Sequence, residues 1–172
     1  MNCPKCKGYI LKPKKHENGL ISLSCDKCHG GMLSIIHYID WSKKNKNNVT
    51  SDNEIHKIDE TKQLINCPKC FGFMTKYKIS NQTHNRLDLC FRCYEIWIDS
   101  GEWQLLQQLE LDKKLPNIFS QEWQKNIVTK EMNEKRLKRY ENYFGNDFEK
   151  IAKFKNWLDN YDKKSNVIHF LK

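Results

Sequence analysis

Apolar and polar positions along the chain fall into three patterns. In the first, short apolar runs are separated by polar turns: Ile10-Leu11, Leu20-Ile21-Ser22-Leu23-Ser24, Phe73-Met74 and Arg86-Leu87-Asp88-Leu89. Runs this short and bounded by turn residues predict β-strands. In the second, residues 42–62 (Ser-Lys-Lys-Asn-Lys-Asn-Asn-Val-Thr-Ser-Asp-Asn-Glu and onward) are rich in Asn and Lys and lack apolar periodicity, which predicts a solvated linker. The third is helical. Trp103, Leu106 and Leu109 recur three residues apart behind Asp99 or Ser100, either of which is placed to cap a short helix, with Glu102 in its first turn. Asn117 or Ser120 opens a longer helix to Phe144, carrying Trp123, Ile127, Val128, Met132, Leu137 and Tyr140. Gly145 is placed to end it in a left-handed conformation. Asp147 then caps a helix with Phe148, Ile151, Phe154, Trp157, Leu158 and Tyr161 on one face, and Val167–Leu171 forms an apolar tail. The expectation is a helix hairpin with the tail docked on it. Two helices bury little surface alone, so they are expected to pack on the rest of the chain, a second copy or a partner.

The cysteines change this picture of scattered short strands. All eight occur as C-x2-C pairs, Cys3/Cys6, Cys25/Cys28, Cys67/Cys70 and Cys90/Cys93, with 18 or 19 residues between the two pairs of each half. This is the zinc-ribbon spacing, in which two knuckles at hairpin turns converge on one tetrahedral ion. Two structural Zn2+ ions follow, the first held by Cys3, Cys6, Cys25 and Cys28, the second by Cys67, Cys70, Cys90 and Cys93. Four thiolates fill the shell, leaving no position for a catalytic water. Disulfides would require an oxidising compartment, and a thioredoxin-like C-x-x-C is expected once, at the start of a helix. Iron in a rubredoxin-like tetrathiolate site, hence an electron carrier, is the rival metal reading.

The halves repeat. Cys3-Pro4-Lys5-Cys6 recurs as Cys67-Pro68-Lys69-Cys70 at an offset of 64, and the second pairs recur at an offset of 65. Gly8 and Gly72 take equivalent places past the first knuckles, where a tight turn favours a residue without Cβ. In the second half, Cys90-Phe91-Arg92-Cys93-Tyr94-Glu95-Ile96-Trp97-Ile98-Asp99-Ser100-Gly101-Glu102 resembles the bacterial transcription-factor-IIB-like zinc-ribbon family. Its signature is Cys-Pro-x-Cys followed by Cys-x-x-Cys-x-Gly-x-Trp-Leu-Asp-x-Gly-Glu. The resemblance implies ligands at Cys67, Cys70, Cys90 and Cys93 and the family tail at Trp97, Asp99, Gly101 and Glu102. Glu95 replaces the usual Gly, which implies a different turn after the last ligand. The first half keeps the ligands and Gly30 but has Met32-Leu33-Ser34 in place of Trp-Leu-Asp and lacks the Gly-Glu, so it reads as a degenerate copy. Trp97 is expected to pack the short helix onto its ribbon.

The resulting fold class is a small metal-bound α+β protein: two tandem zinc ribbons of short antiparallel hairpins, then a helical region. The domains are ribbon 1 at 1–41, a polar linker at 42–64, ribbon 2 with its helix at 65–112, and the helical region at 117–172. Twenty aromatics (8 Phe, 7 Tyr and 5 Trp) require packing somewhere. No apolar run approaches the roughly 18 residues of a membrane span, and the amino terminus carries no signal-peptide core. The expected location is the cytoplasm.

The formal charge is +9, which eight thiolates and two divalent ions would lower to about +5. A mild, dispersed excess permits a polyanionic partner. The basic residues near the knuckles (Lys5, Lys7, Lys27, Lys69 and Arg92) and the run Lys135, Arg136, Lys138 and Arg139 are candidate nucleic-acid contacts. Glu131, Glu134 and Glu141 flank that run at helical spacings, so a solvated, self-paired helix is the plainer account of it. His16, His29, His37, His56, His84 and His169 form no metal or catalytic motif, and no phosphate loop or nucleophile elbow appears. The sequence therefore points to a non-enzymatic zinc-ribbon binding protein associated with nucleic acid or the transcription machinery, with no small-molecule substrate and no membrane. The alternative is a protein–protein adaptor or homo-oligomeric assembly subunit using the aromatic helices.

Overall fold

The computed structural model describes residues 1–16, 19–45 and 63–172. The chain divides into two compact units, Met1–Val128 and Thr129–Lys172. Of the stretch read as a linker, residues 42–44 close a helix and 46–62 lie outside the described residues.

The first unit is built on one antiparallel sheet of six strands, β1 (Lys12–Lys15), β2 (Ile21–Ser24), β3 (Gly31–Ser34), β4 (Thr75–Lys78), β5 (Arg86–Cys90) and β6 (Glu95–Ile98), in the order β1-β2-β3-β6-β5-β4. The expected pair of separate hairpins is thereby corrected. Each half of the repeat supplies three strands, and the two third strands pair with each other. At this seam Gly31 faces Ile98, Met32 faces Trp97, Leu33 faces Ile96 and Ser34 faces Glu95. Met32 and Trp97 are equivalent under the offset of 65, so a pseudo-two-fold axis passes between them. The symmetry extends outward: Leu23 pairs with Met32 just as Asp88 pairs with Trp97, and Pro13 with Leu23 just as Lys76 with Asp88.

Strand alternation gives the sheet two distinct faces. On one, Leu33, Leu87, Leu89, Ile96 and Ile98 join Leu20 and the helical residues Tyr38, Trp41, Leu105, Leu106, Leu111, Leu115 and Ile118 in a core. On the other, Met32 and Trp97 join Leu11, Ile65, Met74 and the cysteines Cys3, Cys25, Cys67 and Cys90. Helices cover the first face and the four-cysteine groups cover the second. Trp97 thus lies under the cysteines, not under the short helix as expected.

Helix α1 (Ile35–Lys44) follows β3 directly, and α2 (Glu102–Gln108) follows β6. Tyr38 and Trp41 of α1 are buried, and Tyr38 Oη donates to the Asp112 carbonyl at 2.7 Å while accepting from Leu115 N–H at 3.2 Å. These bonds tie the helix of the first half to the segment after α2. Burial pushes the Tyr38 hydroxyl up to about 12. The short helix α3 (Leu115–Ile118) and the start of α4 (Gln121–Phe144) also belong to this unit, with Leu115, Ile118 and Ile127 buried. Gln124 closes the β4 edge by accepting from Lys78 N–H (3.2 Å) and donating to the Lys78 carbonyl (2.9 Å), while Trp123 Nε1 donates to the Ile79 carbonyl (3.1 Å). The opposite edge, β1, carries Pro13 and three lysines, residues that discourage further pairing.

The second unit holds the end of α4, a 3-10 turn (Gly145–Asp147), α5 (Phe148–Asp159) and α6 (Lys164–Phe170). Gly145 has φ +50°, as the helix stop requires. Asp147 stands at the N-cap of α5, but its carboxylate bonds Lys150 and caps no backbone N–H. The apolar tail is a helix whose end is not docked: Phe170 is 88% exposed. No residue of 129–172 is buried. Its ring contacts join near neighbours in sequence, as with Phe154–Trp157 (5.6 Å) within α5 and Trp157–Tyr161 (4.9 Å) across its end.

Candidate metal centres

The four thiols of each half converge. Within each group, Cys3/Cys6/Cys25/Cys28 and Cys67/Cys70/Cys90/Cys93, every sulfur lies within 4.8 Å of the others. Cys3 Sγ is 3.7 Å from Cys28 Sγ, and Cys70 Sγ is 3.6 Å from Cys90 Sγ. A tetrahedral ion with metal–sulfur bonds near 2.3 Å requires edges of about 3.8 Å. A disulfide requires about 2.05 Å, and all eight cysteines are free. The donor set and its spacing therefore fit a four-coordinate metal ion in each group.

The knuckle backbone explains why the sulfurs converge. In three knuckles the N–H four residues after the first cysteine bonds that cysteine's carbonyl: His29 to Cys25, Phe71 to Cys67 and Tyr94 to Cys90. Closing this turn sends His29, Phe71 and Tyr94 into the left-handed region, at φ 56°, 61° and 55°. The remaining knuckle is one residue longer. Cys3 N–H reaches the Tyr9 carbonyl where Cys67 N–H reaches that of Gly72, and Gly8 takes the positive φ (+81°). The expected equivalence of Gly8 and Gly72 is thus corrected: the counterpart of Gly8 is Phe71. At Gly72, which has no positive φ, a Cβ would make ordinary contact with Arg92 Cδ (3.4 Å) and Cys70 Sγ (3.5 Å). Nor does the turn at Glu95 differ from its partner, since Tyr94 and His29 have the same φ within a degree.

Backbone N–H groups prepare some of the sulfurs to ionise. Burial raises Cys25, but the N–H groups of Cys28 and Lys27 together with the Cys3 and Cys28 thiols outweigh it and bring the thiol down to about 7. Gly72 N–H, followed by Cys93, lowers Cys70 to about 7. Cys28, by burial, and Cys93, by the neighbouring Cys70 thiol, are pushed up to about 12. A divalent cation among the sulfurs would remove the repulsion that keeps the last thiols protonated.

Around the seam Trp97, Asp99 and Glu102 take part in a buried polar chain. Trp97 Nε1 donates to Asp99 Oδ1 at 2.8 Å, and Asp99 is paired with Lys5 at 2.5 Å. Asp99 therefore caps no helix. The N-cap of α2 is Gly101, at φ +85° without a side-chain bond. Glu102 reaches back to accept from Asp99 N–H at 2.8 Å, and its burial pushes its carboxyl up to about 8. Asp88 is buried and paired with Lys76 at 2.9 Å. Gly30 is explained here as well: a Cβ on it would lie 2.5 Å from Trp97 Cζ2.

The candidate nucleic-acid contacts separate. Lys5, held by Asp99 with its side chain 11% exposed, is withdrawn from solvent. Lys69 pairs with the buried Glu95 at 2.9 Å but remains half exposed. Lys27 sits 5.2 Å from the Tyr9 ring centre, and Lys7 and Arg92 are exposed. Lys135, Arg136, Lys138 and Arg139 are exposed on α4 in the second unit, with the Arg139 guanidinium 5.9 Å from the Tyr140 ring centre.

Folding also creates a polar cavity of about 130 Å3 on the helical face, lined by His16, Ser22, Ser24 and Trp103 among others. His16 Nε2 lies 2.8 Å from Ser22 Oγ, which lies 3.2 Å from Ser24 Oγ. Burial, then Lys14, lowers the His16 pKa. These residues come from both sides of the Gly19 turn and carry no spacing signal. Among the described residues no helix is long and apolar enough to cross a membrane. Compared with known proteins, the chain matches no family model, no curated protein and no solved structure.

Proposed function

We propose that the chain is a non-enzymatic zinc-bound module that presents its knuckles to nucleic acid. The observation that carries this reading is the placement of both four-cysteine groups on one face of a single sheet, with Lys7, Lys27, Lys69 and Arg92 exposed beside them. Zinc suits the sites because four soft thiolates complete its shell and it has no redox chemistry; each ion adds roughly 10 kcal/mol or more to folding. Rigid knuckles then meet a partner at little entropic cost. The likeness of Cys90–Glu102 to the transcription-factor-IIB-like signature supports the same reading, as does the positive charge. The test is anisotropy of labelled DNA and RNA titrated with zinc-loaded protein from about 50 to 300 mM salt. Binding that weakens steeply with salt supports the proposal, and failure to bind any probe at the low end disposes of it.

A second reading rests on the second unit. Its helices expose Tyr143 (81%), Trp157 (51%) and Phe170 (88%), and rings in such number are ordinarily covered by a protein partner or a second copy. Salt-insensitive self-association or capture of a protein that survives nuclease treatment would favour this adaptor role.

A further inference from the structure

The geometry points to the second ribbon as a stacking site for unpaired nucleotides, an inference that rests on the nucleic-acid reading above and narrows it to single strands. Four rings stand in solvent around the second four-cysteine group: Phe71 (78% exposed), Phe73 (82%), Phe91 (54%) and Tyr94 (56%). Two of them, Phe71 and Tyr94, occupy left-handed positions. A bulky side chain there strains the backbone, and glycine is the residue the turn itself prefers. An exposed ring at a strained position gains nothing from burial to offset that strain.

The first ribbon shows that the fold does not require these rings. The repeat places Gly8 where the second ribbon has Phe71, Ile10 where it has Phe73, Asp26 where it has Phe91, and His29 where it has Tyr94. Knuckles close in both halves, the Cys3 knuckle with one residue more, so closure does not require these four rings; the first ribbon exposes Tyr9 and His29 instead. One of them is also braced: Phe91 meets Tyr77 edge-on (6.0 Å), and Tyr77 meets Phe119 edge-on (5.3 Å). A ring fixed in this way loses little freedom when a base stacks on it.

Charge selects the partner. Residues 66–95 contain five basic side chains and two acids, Asp88 and Glu95, and both acids are buried, one against Lys76 and the other against Lys69. Arg92 lies between Phe91 and the ligand Cys93 in sequence and is exposed, and Lys69 is two residues before Phe71. Rings interleaved with cations match the requirement for single strands, where every base offers a π-face and every phosphate a charge. In a duplex the base faces are already stacked, so the rings have no partner there.

The test uses the full zinc-loaded chain and labelled oligonucleotides of about fifteen residues: oligo-dT, oligo-rU and a mixed-sequence duplex. Single strands are expected to bind more tightly than the duplex, with the dT and rU arms showing whether the sugar matters. Phe71→Gly and Tyr94→Gly each relieve a strained turn. They should keep two metal ions per chain and raise the melting temperature, yet weaken single-strand binding by about 5- to 150-fold per ring. Phe91→Asp, the first-ribbon residue, should act in the same direction. Equal or tighter binding of the duplex, or single-strand affinity unchanged in Phe71→Gly and Tyr94→Gly, would overturn this inference while leaving nucleic-acid binding intact. No binding of any probe by fully metallated protein would overturn both and assign the rings to a protein partner.

Discussion

Replacing Gly30 with alanine tests the seam on which the fold depends. The added Cβ would lie 2.5 Å from Trp97 Cζ2 and 3.0 Å from Cε2, against a comfortable carbon–carbon separation of about 3.5–4.0 Å. Something must move by roughly 1 Å. The indole cannot turn aside without cost. It is fully buried, and its Nε1–H is committed to Asp99, itself held by Lys5. Overpacking of this kind costs about 1–3 kcal/mol, and weakening a bond to a charged acceptor adds about 1.5–3 kcal/mol if it is lost. Against this stands a gain of about 0.4–1 kcal/mol, because alanine restricts the unfolded chain and Gly30 has no positive φ to forfeit. The balance is a loss near 3 kcal/mol. With a urea m-value of about 2 kcal/mol/M, the midpoint falls by roughly 1.5 M.

The assay is urea unfolding of zinc-saturated protein at fixed free zinc, since metal binding to the native state alone shifts apparent stability. Gly31→Ala serves as the comparison. Its Cβ would meet the Ser24 hydroxyl at 3.3 Å, a group that rotates, so its loss should be much smaller. In a Trp97→Phe background the benzo ring that clashes is gone, and Gly30→Ala should cost little further. A Gly30→Ala protein as stable as the wild type, or a penalty unchanged by Trp97→Phe, would refute the claim that Trp97 packs across the two halves of the repeat.

Other consequences follow from the buried charges, the metal sites and the second unit. Lys76→Met leaves Asp88, 1% exposed, buried without its cation and should cost about 3–5 kcal/mol in urea unfolding; a change below 1 kcal/mol would contradict the pairing. Glu102 holds its proton up to about 8 in the fold against 4.5 normally, so stability from this group is full below pH 4.5 and is lost as pH rises through 8. Glu102→Gln should therefore gain on the wild type between pH 6 and 9, by on the order of 4 kcal/mol at the alkaline end, and a difference independent of pH would refute the assignment. Elemental analysis should find two metal ions per folded chain, and chelation should abolish the near-ultraviolet signal of Trp97. Truncation after Val128 removes no buried residue and should leave the unfolding midpoint of the first unit unchanged within the effect of about 0.5 kcal/mol expected of surface changes.

The two four-cysteine groups are legible because a site that could hold a tetrathiolate ion leaves its spacing in the chain: two adjacent pairs at a hairpin's distance, written twice. The strands bringing those pairs together were legible in part. Ile21–Ser24 and Arg86–Cys90 carry the expected short patterns, whereas Glu95–Ile98 is buried at all four positions. A strand buried on both faces has no alternation to read, so from the sequence Trp97 reads as a helix anchor. Helix α1 was hidden for the opposite reason: Ile35, Tyr38 and Ile39 have helical spacing, but the run ends in Ser42-Lys43-Lys44, which reads as the start of the linker. The helices of 121–170 follow from periodicity, yet periodicity says nothing about whether a face finds a partner inside the chain: Ile127 of α4 is buried, whereas no residue of 129–172 is.

The seam shows why a duplicated sequence should be read for its differences as well as its repeats. At the pseudo-two-fold axis equivalent residues must meet, and two tryptophans or two methionines would fill equal space. Here Trp97 faces Met32, and the larger ring is accommodated because Gly30, the counterpart of Glu95, has no side chain beneath it. The absence of a carboxylate at position 30 has a second effect. Lys69 pairs with Glu95 in its own ribbon, but Lys5 has no such acid in its own half and crosses the seam to Asp99. The glycine the first ribbon keeps at 30 and the methionine it carries at 32 are thus the residues that lock it to the second. At the axis the first ribbon is thereby the complement of the second, supplying the glycine beneath Trp97 and the lysine that holds Asp99.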